Sequence, residues 1–97
     1  MTEKELKDLL QGYDACIEHF KKEAYYRLTI SEKVVLSFLE NENNLGNKTT
    51  IRACSRYIGR MSAIFDLLNA LTDEERTERY QKIYSSYTLL RDKVYHL

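Results

Sequence analysis

The chain predicts an all-α fold, and three observations carry that prediction. Three times a threonine is followed three residues later by a glutamate, at Thr2–Glu5, Thr29–Glu32 and Thr72–Glu75. Each pair opens a run of apolar residues at helical spacing, the pattern of a capping box. In it the threonine oxygen accepts from the N3 amide while the glutamate reaches back to the N-cap amide. Proline is absent from all 97 residues, so nothing forces a helix to kink or stop. The apolar residues recur in steps of three and four throughout, as they do on the buried stripe of an amphipathic helix.

The predicted architecture is a four-helix bundle over residues 1–97, with two long helices, one short helix and one buried central helix. Helix one is expected from about Glu3 to Leu28, on a seam of Leu6, Leu10, Tyr13, Ile17, Phe20 and Ala24. Glu3 and Glu5 sit at its positive end, with Lys21 and Lys22 towards its negative end, as the helix dipole favours. Helix two follows a cap at Thr29, carries Ile30, Val34, Val35, Phe38 and Leu39, and stops in Asn41–Gly46. Asparagines erode helicity there, and Gly46 can take the left-handed conformation.

Helix three starts near Thr49-Thr50 and carries Ile51, Cys54, Ile58, Met61, Phe65 and Leu68. A second stripe of Tyr57, Ile64, Leu67 and Leu71 makes it the most apolar segment, hence the central helix. Gly12 and Gly59 are small enough to admit a neighbouring backbone. Helix four starts at the Thr72 cap and carries Tyr80, Ile83, Tyr87, Leu90 and Val94. Helix one at about 26 residues would be about 39 Å long and helix two at about 14 residues only about 21 Å. The difference leaves apolar surface for a partner or a second copy.

Composition narrows the function classes. At 43% apolar and 31% charged the chain has ordinary soluble composition. No run approaches the roughly 18 apolar residues of a transmembrane helix, and the charged N-terminus lacks the apolar core of a secretory signal. The 15 basic and 15 acidic side chains cancel, whereas a dedicated nucleic-acid binder usually carries a basic excess. Cys16 and Cys54 are expected to be reduced, buried, small hydrophobes of a cytoplasmic protein. Asn47-Lys48-Thr49 matches a glycosylation acceptor, but with no signal peptide expected the match is expected to carry no meaning.

Residues Leu28-Thr-Ile-Ser-Glu-Lys-Val-Val-Leu resemble the opening helix of winged-helix and helix-turn-helix regulators, and Thr50–Gly59 resembles their second helix. The resemblance implies a turn at Gly59 and a DNA-reading helix from Arg60 to Leu71. The other arrangement is a single third helix running through Gly59, since the three-four stepping passes that glycine without a slip. The C-terminal Arg91, followed after four residues by His96, resembles the HEPN ribonuclease motif. That resemblance implies an arginine and a histidine that assist attack by an RNA 2′-hydroxyl.

Arg52, Arg56 and Arg60 recur every four residues and line one helix face. Such a stripe can orient an acidic partner surface, or lie solvated and paired with the Asp73–Glu78 acidic run. Tyr80, Tyr84 and Tyr87 line helix four, and tyrosine combines a large apolar ring with a hydroxyl, as interfaces favour. These six residues form the expected partner-binding set. His19 has only Glu23 as a strong neighbour on its face, so no metal is expected, and no cofactor-binding motif is present. The leading expectation is a small non-enzymatic interaction module, a cytoplasmic regulator or inhibitor that docks a helical face as a homodimer or hetero-complex. DNA binding through residues 28–71 is the alternative, and HEPN-like RNA cleavage a third.

Overall fold

A computed structural model describes residues 2–41 and 46–97, without the side chain of Leu10. Among the described residues there are three α-helices and one short 3-10 turn: α1 (Glu3–Glu40), α2 (Lys48–Leu71), the turn Glu74–Arg76, and α3 (Glu78–Tyr95). The all-α class therefore holds, while the four-helix count does not. The first two predicted helices are one rod of 38 residues, about 57 Å long. The molecule is correspondingly elongated, at 63 × 23 × 16 Å.

Helix α1 begins as expected: Thr2 is extended, and its Oγ1 accepts from the Glu5 amide at 3.2 Å. The expected break at Thr29 does not occur. The Thr29 hydroxyl instead donates to the Tyr25 carbonyl at 2.9 Å, a back-bond that helices tolerate. Tertiary packing decides the matter. Ala24, Leu28, Ser31 and Val35 step by four, three and four and are all buried, so a break at Thr29 would throw this stripe out of phase. Lys21 and Lys22, expected near a helix end, are mid-helix.

The predicted stop across Asn41–Gly46 lies mostly outside the described residues. Asn41 caps α1, and Gly46 takes φ +84°, in the left-handed region that glycine enters without penalty. The N-cap of α2 is Asn47 rather than Thr49 or Thr50. Its Oδ1 accepts from the amides of both threonines, at 2.9 and 3.4 Å. Helix α2 then runs through Gly59 and Arg60 without interruption. The turn that a helix-turn-helix would require is absent. A Cβ on Gly12 or Gly59 would meet nothing within 4 Å, so neither glycine marks a close approach of helices within the chain.

Thr72 ends α2 rather than starting the last helix. Its amide and its hydroxyl both donate to the Leu68 carbonyl, and its Oγ1 accepts from the Glu74 amide. The chain takes one 3-10 turn, and Thr77 caps α3 by accepting from the Tyr80 amide. The two-threonine spacing lets the chain reverse while keeping both helix ends satisfied.

The core lies where the second half of α1 meets α2 and α3. Helix α2 supplies Cys54, Ile58, Met61, Phe65 and Leu68, all from its first predicted stripe and more fully buried apolar side chains than either neighbour; of the second stripe, Tyr57 and Ile64 are half-buried and Leu67 and Leu71 exposed. Phe65 packs edge-on against Tyr80 and Tyr84 and tilted against Tyr87, at centroid distances of 5.1–5.3 Å. Such pairs add stabilisation beyond the area they bury.

Candidate docking surface

Among the first 14 residues of α1, none of the described side chains belongs to this core. Every described side chain from Glu3 to Cys16 is exposed, partial burial starts at Ile17, and Phe20 packs against the core. Residues 3–16 thus project as an arm of about 21 Å. The arm is amphipathic all the same: Leu6, Leu9 and Tyr13 are 50%, 59% and 61% exposed. Residues 6, 9, 13, 16 and 20 step by three and four, sharing Leu6, Tyr13 and Phe20 with the expected seam and adding the exposed Leu9 and Cys16. Ile17 and Ala24, from the expected seam, turn towards the body.

At the base of the arm this seam runs into a groove between α1 and α2. Phe20, Ile30 and Ser31 form its α1 wall, and Tyr57, Ile64 and Leu67 its α2 wall. It encloses about 780 Å³. Tyr26, Ile30 and Leu67 are substantially exposed along it. Two cations border it: Arg27, bonded to Glu23 at 3.0 Å, and Arg60, whose guanidinium lies 5.1 Å from the centre of the Tyr57 ring.

The six predicted residues divide. Arg52, Arg56 and Arg60 all lie exposed on α2. Among the described residues none of the three is ion-paired with the Asp73–Glu78 run, which was the expected source of countercharge. Tyr80 and Tyr87 are buried against Phe65 and serve the core. Their rings are closed to any partner, because the short connector presses the start of α3 onto α2. Tyr84 sits at the rim, stacked on Tyr80. The structure thus brings Arg60 into the groove with apolar side chains and leaves the tyrosines of α3 elsewhere.

The acidic run has another use. Glu74 is only 6% exposed and ties three segments together. Its Oε2 accepts from Tyr25 Oη at 2.8 Å, from Arg79 Nε at 2.8 Å and from Thr77 Oγ1 at 3.3 Å. Lys21 Nζ lies 3.4 Å from Oε1. The Arg79 hydrogen bond is the largest of the influences that bring the Glu74 carboxyl down to about 2, against a burial effect that opposes it. Tyr25 shifts the other way: burial, then its bond to the carboxylate, raise its phenol above the ordinary range. The Arg79 guanidinium also covers the Tyr25 ring at 4.5 Å. Sequence reasoning missed this cluster because Glu74 looks like one charge in a solvated run.

The remaining predicted sites do not assemble. Arg91 lies over the Tyr87 ring and 3.7 Å from Asp92, while His96 borders a separate hollow with Leu36, Leu39 and Leu89. Five residues apart, the two point about 140° apart around the helix. His19 is exposed, and Glu23 is bonded to Arg27 instead of to it. No cluster of His, Cys, Asp or Glu suited to a metal occurs among the described residues. Cys54 is buried, and burial raises its thiol pKa, but Cys16 is exposed on the arm rather than buried as expected. No described helix is long and apolar enough to cross a membrane. No protein-family model, curated protein or solved structure matches this chain.

Proposed function

We propose that this chain is a non-enzymatic interaction module that works by docking the arm of α1 and the adjoining α1–α2 groove onto a second helical surface. One observation carries the reading: exposed apolar side chains recur from Leu6, Leu9 and Tyr13 on the arm to Tyr26, Ile30 and Leu67 at the groove, interrupted only by the Glu23–Arg27 ion pair. An extended exposed apolar face accompanied by charges is the usual mark of a protein-binding surface. Arg27 and Arg60 at the rim, with Arg52 and Arg56 beyond, favour an acidic flank on the bound helix and fix its orientation. Regulation or inhibition of a partner through such a face is the corresponding cytoplasmic role.

The test compares the wild-type protein with Ile30→Asp/Leu67→Asp, which changes two half-exposed groove residues and spares the core. The wild type is expected to form a stoichiometric complex, seen by sedimentation as self-assembly or by capture from its native cells. The variant should lose that complex at unchanged helicity. A wild-type protein that stays alone in both experiments refutes the reading.

A further inference from the structure

We infer that the occupant of the groove is the arm of a second copy of this chain, the two α1 helices lying antiparallel so that each arm fills the other's groove. This rests on the docking reading above and names its partner. Three features point to it.

The first is continuity of register. Residues 6, 9, 13, 16, 20, 23, 27 and 30 step by three and four on one face of α1, from the tip of the arm to the end of the groove. Turned end for end, this seam meets itself in layers. Leu6 lies level with Ile30 of the second copy, Leu9 with Arg27, Tyr13 with Glu23, and Cys16 with Phe20. Two-fold symmetry repeats each layer, as a self-complementary interface requires.

The second is length. The α1 wall of the groove, Phe20 to Ser31, is about 18 Å long, and the arm from Glu3 to Cys16 about 21 Å. An arm cannot fold back into its own groove, because both belong to one uninterrupted helix. Its complement lies on another molecule.

The third is charge. The arm carries Glu3, Glu5, Asp8 and Asp14 against Lys4 and Lys7, a net charge of 2 − 4 = −2. From Lys48 to Phe65, α2 carries Lys48, Arg52, Arg56 and Arg60 and no acid. The charged side chains that line the groove are Arg27 and Arg60 against Glu23, a net charge of 2 − 1 = +1, with Arg52 and Arg56 further along α2, so pairing two copies brings an acidic arm onto a basic groove.

A pairing of arm with arm alone, Leu6 against Cys16 and Leu9 against Tyr13, would leave Ile30, Tyr26 and Leu67 in water. The groove register covers them as well.

Sedimentation at about 100 µM, where even a micromolar pair is fully formed, should give twice the chain mass. Leu6→Asp, on the exposed arm and level with apolar Ile30 of the second copy, should give a monomer with an unchanged circular dichroism spectrum. Mild oxidation then reads the register. Leu6→Cys/Ile30→Cys in a Cys16→Ser background should yield a covalent dimer, since 24 residues of one rigid helix keep these two thiols about 36 Å apart within a molecule. Leu6→Cys with native Cys16 should remain uncoupled. If the second protein couples and the first does not, the arms pair with each other; the groove register is then wrong while docking survives. A wild-type monomer overturns the self-pairing outright, and the Ile30→Asp/Leu67→Asp capture experiment then decides the docking reading separately.

Discussion

Replacing Glu74 by glutamine tests how the last helix is tied to α1. The substitution keeps the shape of the side chain but removes the charge that holds Arg79 Nε and Tyr25 Oη, both at 2.8 Å, and faces Lys21 at 3.4 Å. The magnitude follows from the carboxyl's own titration, depressed from 4.5 to about 2 by the folded state. That difference corresponds to about 3 kcal/mol of stability favouring the ionised form. Because the folded-state pKa lies below the unfolded one, the contribution is complete above pH 4.5 and is lost as pH falls towards 2. It compares with the roughly 3–5 kcal/mol typical of breaking a buried ion pair, and with a total stability of roughly 5–15 kcal/mol for such a domain. Urea denaturation followed by circular dichroism, repeated from pH 7 to pH 2, is the assay. The wild type should lose stability steeply below pH 4.5, and Glu74→Gln should start about 3 kcal/mol lower at pH 7 with a flatter acid limb. A variant within about 1 kcal/mol of wild type at pH 7, with the same acid limb, refutes the assignment of Glu74 as the tie.

Two further substitutions probe the helices themselves. Gly59→Ala should stabilise the protein by about 0.5–1 kcal/mol, because a Cβ there meets nothing within 4 Å and the position is mid-helix; a loss in thermal denaturation would mean that α2 needs a flexible joint. Thr29→Ala should leave the melting temperature nearly unchanged, whereas Thr77→Ala should cost about 1 kcal/mol as a lost N-cap, plus the bond to the Glu74 carbonyl; equal losses in the two melts would contradict the helix boundaries described here.

The helical class and the identity of the central helix were legible because both depend on local periodicity. The boundaries were not, and the reason differs at each. Thr29 and Glu32 have the chemistry of a capping box, but the buried steps from Ala24 through Leu28 and Ser31 to Val35 hold their phase across that threonine. Attention to phase alone would have joined the two helices. At Thr72 and Thr77 two valid caps stand five residues apart, and propensity does not say which one opens the helix; the tie between Glu74 and Tyr25, 49 residues away in sequence, positions the turn. The arginine stripe could be read directly from its spacing. The groove could not, since Ile30, assigned to the seam of a separate helix, gains its role only once α1 is continuous. Burial of Tyr80 and Tyr87 likewise depends on the ring of Phe65, which spacing along α3 does not reveal.

The unsupported start of α1 has a thermodynamic consequence. An isolated 14-residue helix is marginal in water because forming its first turn is so unfavourable. Here that unfavourable first step has already been taken inside the folded body, and each arm residue only extends an existing helix. Gly12 weakens the extension partway along. Amide protection should therefore decline from Phe20 towards Thr2 as a gradient rather than as a single cooperative block. Whatever binds the arm would be read out as that gradient flattening.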